Sequence, residues 1–125
     1  MSSRTIAIDF DGVLHSYTSP FSFEALDSPT PGAAEFIRWL LDNSYTPIIY
    51  STRAEHPSGF DQITSWLESE GFPPGLEITA VKPKALLYID DRAFRFEGDF
   101  SAICDFISSN AHFRTWNKPR KEPSR

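Results

Sequence analysis

Apolar and polar residues fall in blocks along this chain, and the period of each block predicts its element. Residues 5–10 are apolar on both faces, the pattern of a strand at the centre of a parallel sheet. Residues 15–29 carry Pro20, Pro29, several serines, Phe21 and Phe23, and predict a loop with aromatic anchors, too short to form a separate domain. Thr30-Pro31 then predicts a helix start, with threonine as cap and proline in the first turn. Ala33, Phe36, Ile37, Leu40 and Leu41 follow at helical spacing, so residues 31–43 read as an amphipathic helix.

The run from Thr46 to Arg53 predicts a second short strand that ends in hydroxyls and a guanidinium. Ser58 is the expected cap of a second helix, with Phe60, Ile63 and Leu67 on its inner face and Gly71 as its stop. Leu76, Ile78 and Ala80 alternate with polar residues, the signature of an edge strand. Residues 85–89 form a further apolar strand that runs straight into Asp90-Asp91-Arg92. Ala102, Ile103, Phe106 and Ile107 predict a last helix near 99–108. Strands alternating with helices predict an α/β fold, a three-layer open parallel sheet.

Composition narrows the setting. At 125 residues, with 40% apolar and 14% aromatic content, the chain suits one domain with a single core. That domain is expected over residues 1–113. Residues 114–125 hold Arg114, Lys118, Arg120, Lys121 and Arg125 against Glu122 alone, with Pro119 and Pro123, and read as a flexible basic tail. The net charge of −5 argues against a broad nucleic-acid surface. Cys104 has no partner for an intrachain disulfide and is expected to be packed inside a helix. The apolar runs are far shorter than a membrane span, and Met1-Ser2-Ser3-Arg4 lacks the apolar segment of a signal peptide. A cytoplasmic protein with no membrane partner is the expectation.

Three predicted strands end in reactive side chains: Asp9 and Asp11, then Ser51 and Thr52, then Asp90 and Asp91. Asp9 and Asp11 are two apart, on one face of a strand, and Gly12 lets the chain turn after them. Carboxylates crowded this way repel unless a proton or cation lies between them, and hard cations such as Mg²⁺ prefer oxygen ligands of this kind. In open parallel sheets the ligand site lies beyond the strands' carboxyl ends, so the three pairs are expected to converge.

Ile8-Asp9-Phe10-Asp11-Gly12-Val13-Leu14 resembles the first signature of the haloacid dehalogenase-like (HAD) phosphohydrolase superfamily. Ile48-Ile49-Tyr50-Ser51 is similar to its second, and Ile89-Asp90-Asp91 to the double-aspartate form of its fourth. With Lys82-Pro83 and Asp90-Asp91-Arg92-Ala93, the resemblance is to small uncapped HAD-like proteins of bacterial and phage type, and it covers roughly residues 5–100. It implies a minimal Rossmannoid domain without a cap. By this resemblance Asp9 is the nucleophile that forms an aspartyl-phosphate, and Asp11 the acid and base that also offers its backbone carbonyl to Mg²⁺. Ser51 would hold a phosphoryl oxygen, with Thr52 able to do the same and Arg53 able to bind substrate phosphate. Asp91 would be the direct metal ligand, with Asp90 alongside. The family's lysine matches Lys82 best, with Lys84 as rival. From Lys82 to Asp90 an extended chain spans on the order of 26 Å. A straight, full-length strand would therefore start Lys82 at the wrong end of the sheet. Either residues 76–84 are irregular or another cation takes the role.

Plainer readings stand beside these. Asp9, Asp11 and Asp91 suit an acidic turn, Ser51 suits a cap, and Arg53 and Arg92 suit ion pairs with a neighbouring aspartate. His15 and His56 suit solvated loops. Phe94, Phe96 and Phe100 suit packing anchors. The leading expectation is a Mg²⁺-dependent phosphomonoester hydrolase acting on a nucleotide, a nucleic-acid end or a phosphoprotein. A module that binds Mg²⁺ or phosphate without turnover, and a phosphotransferase on the same fold, are the alternatives.

Overall fold

The computed structural model describes residues 4–16 and 26–109. Four strands form one all-parallel open sheet in the order β3-β2-β1-β4, flanked by helices in a Rossmann-like three-layer α/β arrangement. The strands are β1 (Thr5–Asp9), β2 (Thr46–Tyr50), β3 (Glu77–Thr79) and β4 (Leu87–Ile89). The helices are α1 (Ala33–Asp42), α2 (Pro57–Ser69) and α3 (Phe100–Ser109). Among the described residues, no helix is long and apolar enough to cross a membrane. The anchors Phe21 and Phe23 and the tail 114–125 lie outside the described residues.

β1 is flanked by a strand on each side, with Ile8 opposite both Ile49 and Ile89. Alternation divides its side chains. Ile6 and Ile8 join Ile37 and Leu40 of α1 and Ile63, Trp66 and Leu67 of α2 in the core, while Ala7 and Asp9 look to the opposite face. Removing each large aliphatic side chain of this core from water stabilises the fold by about 1.5–3 kcal/mol. β3 is an edge strand, as its alternation predicts.

Local signals are corrected in several places. Gly32, not Thr30, is the residue before the first turn of α1, because Pro31 and Gly32 form a turn before the helix begins. His56, not Ser58, precedes α2, with Pro57 in the position where its missing N–H costs nothing. The inner face of α2 is Gly59, Ile63, Trp66 and Leu67, and Phe60 is exposed. Gly59 faces the backbone of the preceding turn, where a Cβ would lie 2.0 Å from the Arg53 carbonyl oxygen. Cys104 is exposed rather than packed. Phe94 and Phe96 are partly to well exposed; they pair with Phe106 and Phe100 rather than anchoring in the main core.

The link from β3 to β4 is unusual. Seven residues, 80–86, carry the chain past β2 and β1 to the far edge without a helix. Three strand spacings are about 14 Å and the return to the sheet's lower end about 10 Å, so an extended link of about 26 Å suffices. The Leu86 N–H donates to the Thr5 carbonyl and seats the chain at the start of β1. Residues 80–86 are thus irregular, and Lys82 leaves β3 near the end of the sheet where Asp9 lies.

Candidate functional site

β1 ends at Asp9, and the chain folds tightly over the next six residues. Gly12 adopts φ 88°, a left-handed conformation open chiefly to glycine. The His15 N–H donates to the Phe10 carbonyl and the Gly12 N–H to the His15 carbonyl. The Ser16 N–H then donates to Ser28 and the Thr30 N–H to Leu14, fastening residues 14–16 to 28–30. This turn separates Asp9 from Asp11 into different surroundings.

Asp9 stands one step beyond the Ile8–Ile89 pair, beside the end of β4. One carboxylate oxygen from each of Asp9, Asp90 and Asp91 lies within 4.8 Å of the others. Burial, then the charges of Asp90, Asp91 and Asp11, push Asp9 up to about 8 from an ordinary 3.8. Asp91 Oδ1 is buried and has no hydrogen-bond partner. A buried carboxylate oxygen without a donor is costly, and a cation among the three oxygens would relieve both that cost and the repulsion. The donor set, all carboxylate, is the kind hard divalent ions take. Asp90 is fixed by its own turn, its Oδ1 accepting the Arg92 N–H at 2.8 Å.

Asp11 is outside that cluster. Its Oδ1 pairs with His15 Nδ1 at 2.8 Å and its Oδ2 accepts from Arg53 Nε at 2.8 Å. Burial alone would raise Asp11, but the bonds and charges of His15 and Arg53 outweigh it and leave the group below the ordinary carboxylate range. Arg53 is 2% exposed, an unusual depth for a guanidinium and one that demands a partner. Of the readings open to Arg53, the structure displays the ion pair.

Ser51 is buried at the end of β2, where its Oγ accepts the Arg53 N–H and caps a short 3₁₀ helix, Thr52–Glu55. Thr52 is exposed within that helix. Lys82 Nζ lies 4.5 Å from the centroid of the Tyr88 ring, and the Tyr88 hydroxyl donates to the Pro83 carbonyl. Tyr88 pairs with Ala7, so Lys82 rides over a residue on Asp9's face of the sheet. The charges acting on Asp9 itself are all negative. Lys84 and Arg92 are exposed. The structure therefore brings Asp9, Asp90 and Asp91 into one cluster and sets Asp11 with Arg53 beside it.

His15 is the functional candidate that its sequence neighbourhood conceals. It is 1% exposed, not solvated, and its ring stacks on Phe10 at 5.2 Å and meets Trp66 edge-on at 5.8 Å. Its spacing of four from Asp11 is visible in the sequence, but the turn that joins them is not.

Comparison with known proteins supports the fold. No protein-family model matches the chain, and no curated protein matches it. A solved structure described as a conserved protein coded by a locus from Bacteroides thetaiotaomicron is similar at a TM-score of 0.52 and 23% identity, over 86% of this chain and 92% of that one. At that identity the likeness shows the shared α/β architecture alone.

Proposed function

We propose that the chain is a Mg²⁺-dependent phosphomonoester hydrolase of the HAD-like type, with Asp9 as nucleophile. The observation that carries this is the cluster of Asp9, Asp90 and Asp91 beyond the carboxyl ends of β1 and β4, with the Asp91 Oδ1 atom buried and unpartnered. Asp9, Asp90 and Asp91 would hold the cation, and by the family resemblance the Asp11 backbone carbonyl would add a further oxygen. When bound, Mg²⁺ supplies positive charge that offsets the carboxylates and a phosphate dianion.

The chain's own residues then divide the work. An Asp9 oxygen attacks phosphorus, forming an O–P bond as the ester O–P bond breaks. The leaving oxygen takes the proton carried by Asp11, giving the alcohol and an aspartyl-phosphate. Water then attacks the same phosphorus and gives a proton to Asp11 as the Asp9 O–P bond breaks, releasing inorganic phosphate, the free Asp9 carboxylate and protonated Asp11. Ser51 and Thr52 lie at the neighbouring strand end, where a hydroxyl suits a phosphoryl oxygen, and Lys82 on its irregular link is the cation nearest in role. The open sheet end suits a substrate with a protruding phosphate.

The second reading, a Mg²⁺- or phosphate-binding module without turnover, draws on one observation. Asp11 is held in its anionic form by His15 and Arg53, which opposes its loading as an acid. Turnover of p-nitrophenyl phosphate with and without Mg²⁺, in wild type and Asp9→Asn, separates the two. Metal-dependent release abolished by the substitution is the expected result. Mg²⁺ binding with no turnover across a panel of phosphoesters would leave the binding module.

A further inference from the structure

His15 does no chemistry in the scheme above, yet it is among the most deeply buried polar side chains described, and both its ring nitrogens are engaged. The Asp27 backbone N–H donates to Nε2 at 2.7 Å. A nitrogen that accepts from an amide presents its lone pair, so the ring proton resides on Nδ1 and is donated to Asp11 Oδ1. The backbone of the 26–30 segment thereby selects the tautomer. The Asp27 carbonyl in turn accepts from Trp66 Nε1 at 2.9 Å, so α2 fixes the segment that fixes the ring. Phe10 and Trp66 close on the ring's sides.

Arg53 Nε occupies the other Asp11 oxygen. Two donors at two oxygens define the plane of the carboxyl group, and each oxygen keeps a second lone-pair direction for a proton in transit. One donor alone would leave the group free to rotate about its last bond. An acid must be aimed at the leaving oxygen within a narrow cone to act in the transition state.

We infer that His15 is the positioning residue for Asp11, aiming its carboxyl group at the leaving oxygen through the Nδ1–H bond that the Asp27 amide enforces. The inference rests on the phosphoester reading of the site. His15 itself exchanges no proton with substrate; it sets the orientation of the group that does.

The test uses two substitutions that remove the same stacking surface. In His15→Asn the side-chain amide nitrogen falls near the place of Nδ1 and keeps a donor for Asp11. In His15→Gln it falls near the place of Nε2 and loses it. Each is assayed on p-nitrophenyl phosphate, whose leaving group needs little protonation, and on an alkyl phosphate, whose leaving group needs it fully. The expected result is that His15→Gln lowers kcat/KM on the alkyl phosphate about tenfold or more beyond its loss on the nitrophenyl ester, and that His15→Asn restores the ratio. Equal losses on both substrates, or no difference between the two variants, would overturn the proposal. The Asp11 side-chain carboxyl carbon signal gives a reading that needs no turnover. It is expected to move in His15→Gln and hold in His15→Asn, and the same signal in both variants would sink the assignment even in a chain that hydrolyses nothing. Wild type without turnover but with the expected signals would remove the hydrolase reading and leave the Asp11–His15 geometry standing.

Discussion

Asp9 and Asp11 are the same residue type, two positions apart at one strand end, and the fold gives them opposite electrostatic fates. Asp9 faces two further carboxylates and no cation of the chain's own among its shifting charges. Asp11 faces a guanidinium and an imidazole N–H, one for each oxygen. The first group is left to bind a proton or a metal ion; the second is held as an oriented anion. Paired acidic residues at a strand end are therefore two devices, and what differs is the partner that arrives from elsewhere in the chain.

The sharpest way to break the contrast is to remove the cation from Asp11. Arg53→Met should cost about 3–5 kcal/mol in urea unfolding, because it leaves a largely buried carboxylate short of its partner. The sign with pH follows from the direction of the Asp11 shift. A depressed folded value means stability present above the ordinary value near 3.8 and lost as pH falls through the depressed one. That acid-side loss should shrink in Arg53→Met. Stability unchanged by the substitution would show that the pair is not formed in solution.

A second approach reaches Arg53 through the backbone. Gly59→Ala places a Cβ against the Arg53 carbonyl oxygen, and should destabilise the chain by about 2 kcal/mol as α2 shifts off the 3₁₀ turn. A neutral result would mean that the turn yields easily, and that Asp11 is not held as rigidly as described.

On the other side of the comparison, Asp9 with a folded value of about 8 keeps a proton that the unfolded chain releases from 3.8 upward. Its favourable contribution is therefore complete below about pH 4 and is lost as pH rises to 8 and beyond. In EDTA, the melting temperature of wild type relative to Asp9→Asn should fall by several degrees as pH rises through that window. Saturating Mg²⁺ should remove most of the fall. A flat difference would deny that the three carboxylates crowd one another. The smallest effect is expected at Asp91→Asn, with Mg²⁺ affinity about tenfold weaker by calorimetric titration and the metal-free melting temperature held or raised, since Asp91 Oδ1 has no hydrogen bond to lose. A loss of metal-free stability there would mean the carboxylate has a partner.

The central strand before Asp9, apolar on both faces, the edge character of β3 and the convergence of Asp9 with Asp90 and Asp91 follow from hydrophobic pattern and strand-end placement. The cap of α1 did not follow, because Pro31-Gly32 competes with Thr30 for the turn. Trp66 displaced Phe60 on the inner face of α2 because the helix begins one residue before the predicted cap and its buried stripe is set by what it meets, here His15 and Phe10. The depth of His15 is invisible in a loop that looks polar. The link 80–86 reads as a helix-free gap in the sequence, and only the sheet order shows that it crosses two strands.

Local sequence places the reactive atoms at the strand ends: alternation and glycine geometry act over a few residues, and so set Asp9, Asp11, Ser51 and Asp91 there without knowledge of the rest. Tertiary structure alone decided what each of those atoms meets. Charge and burial are set by neighbours in space: the partners of Asp9 follow the end of β4, and those of Asp11 come from the turn after β2 and from His15 within its own turn. Two carboxylates two positions apart thus became one member of a carboxylate cluster and one braced anion.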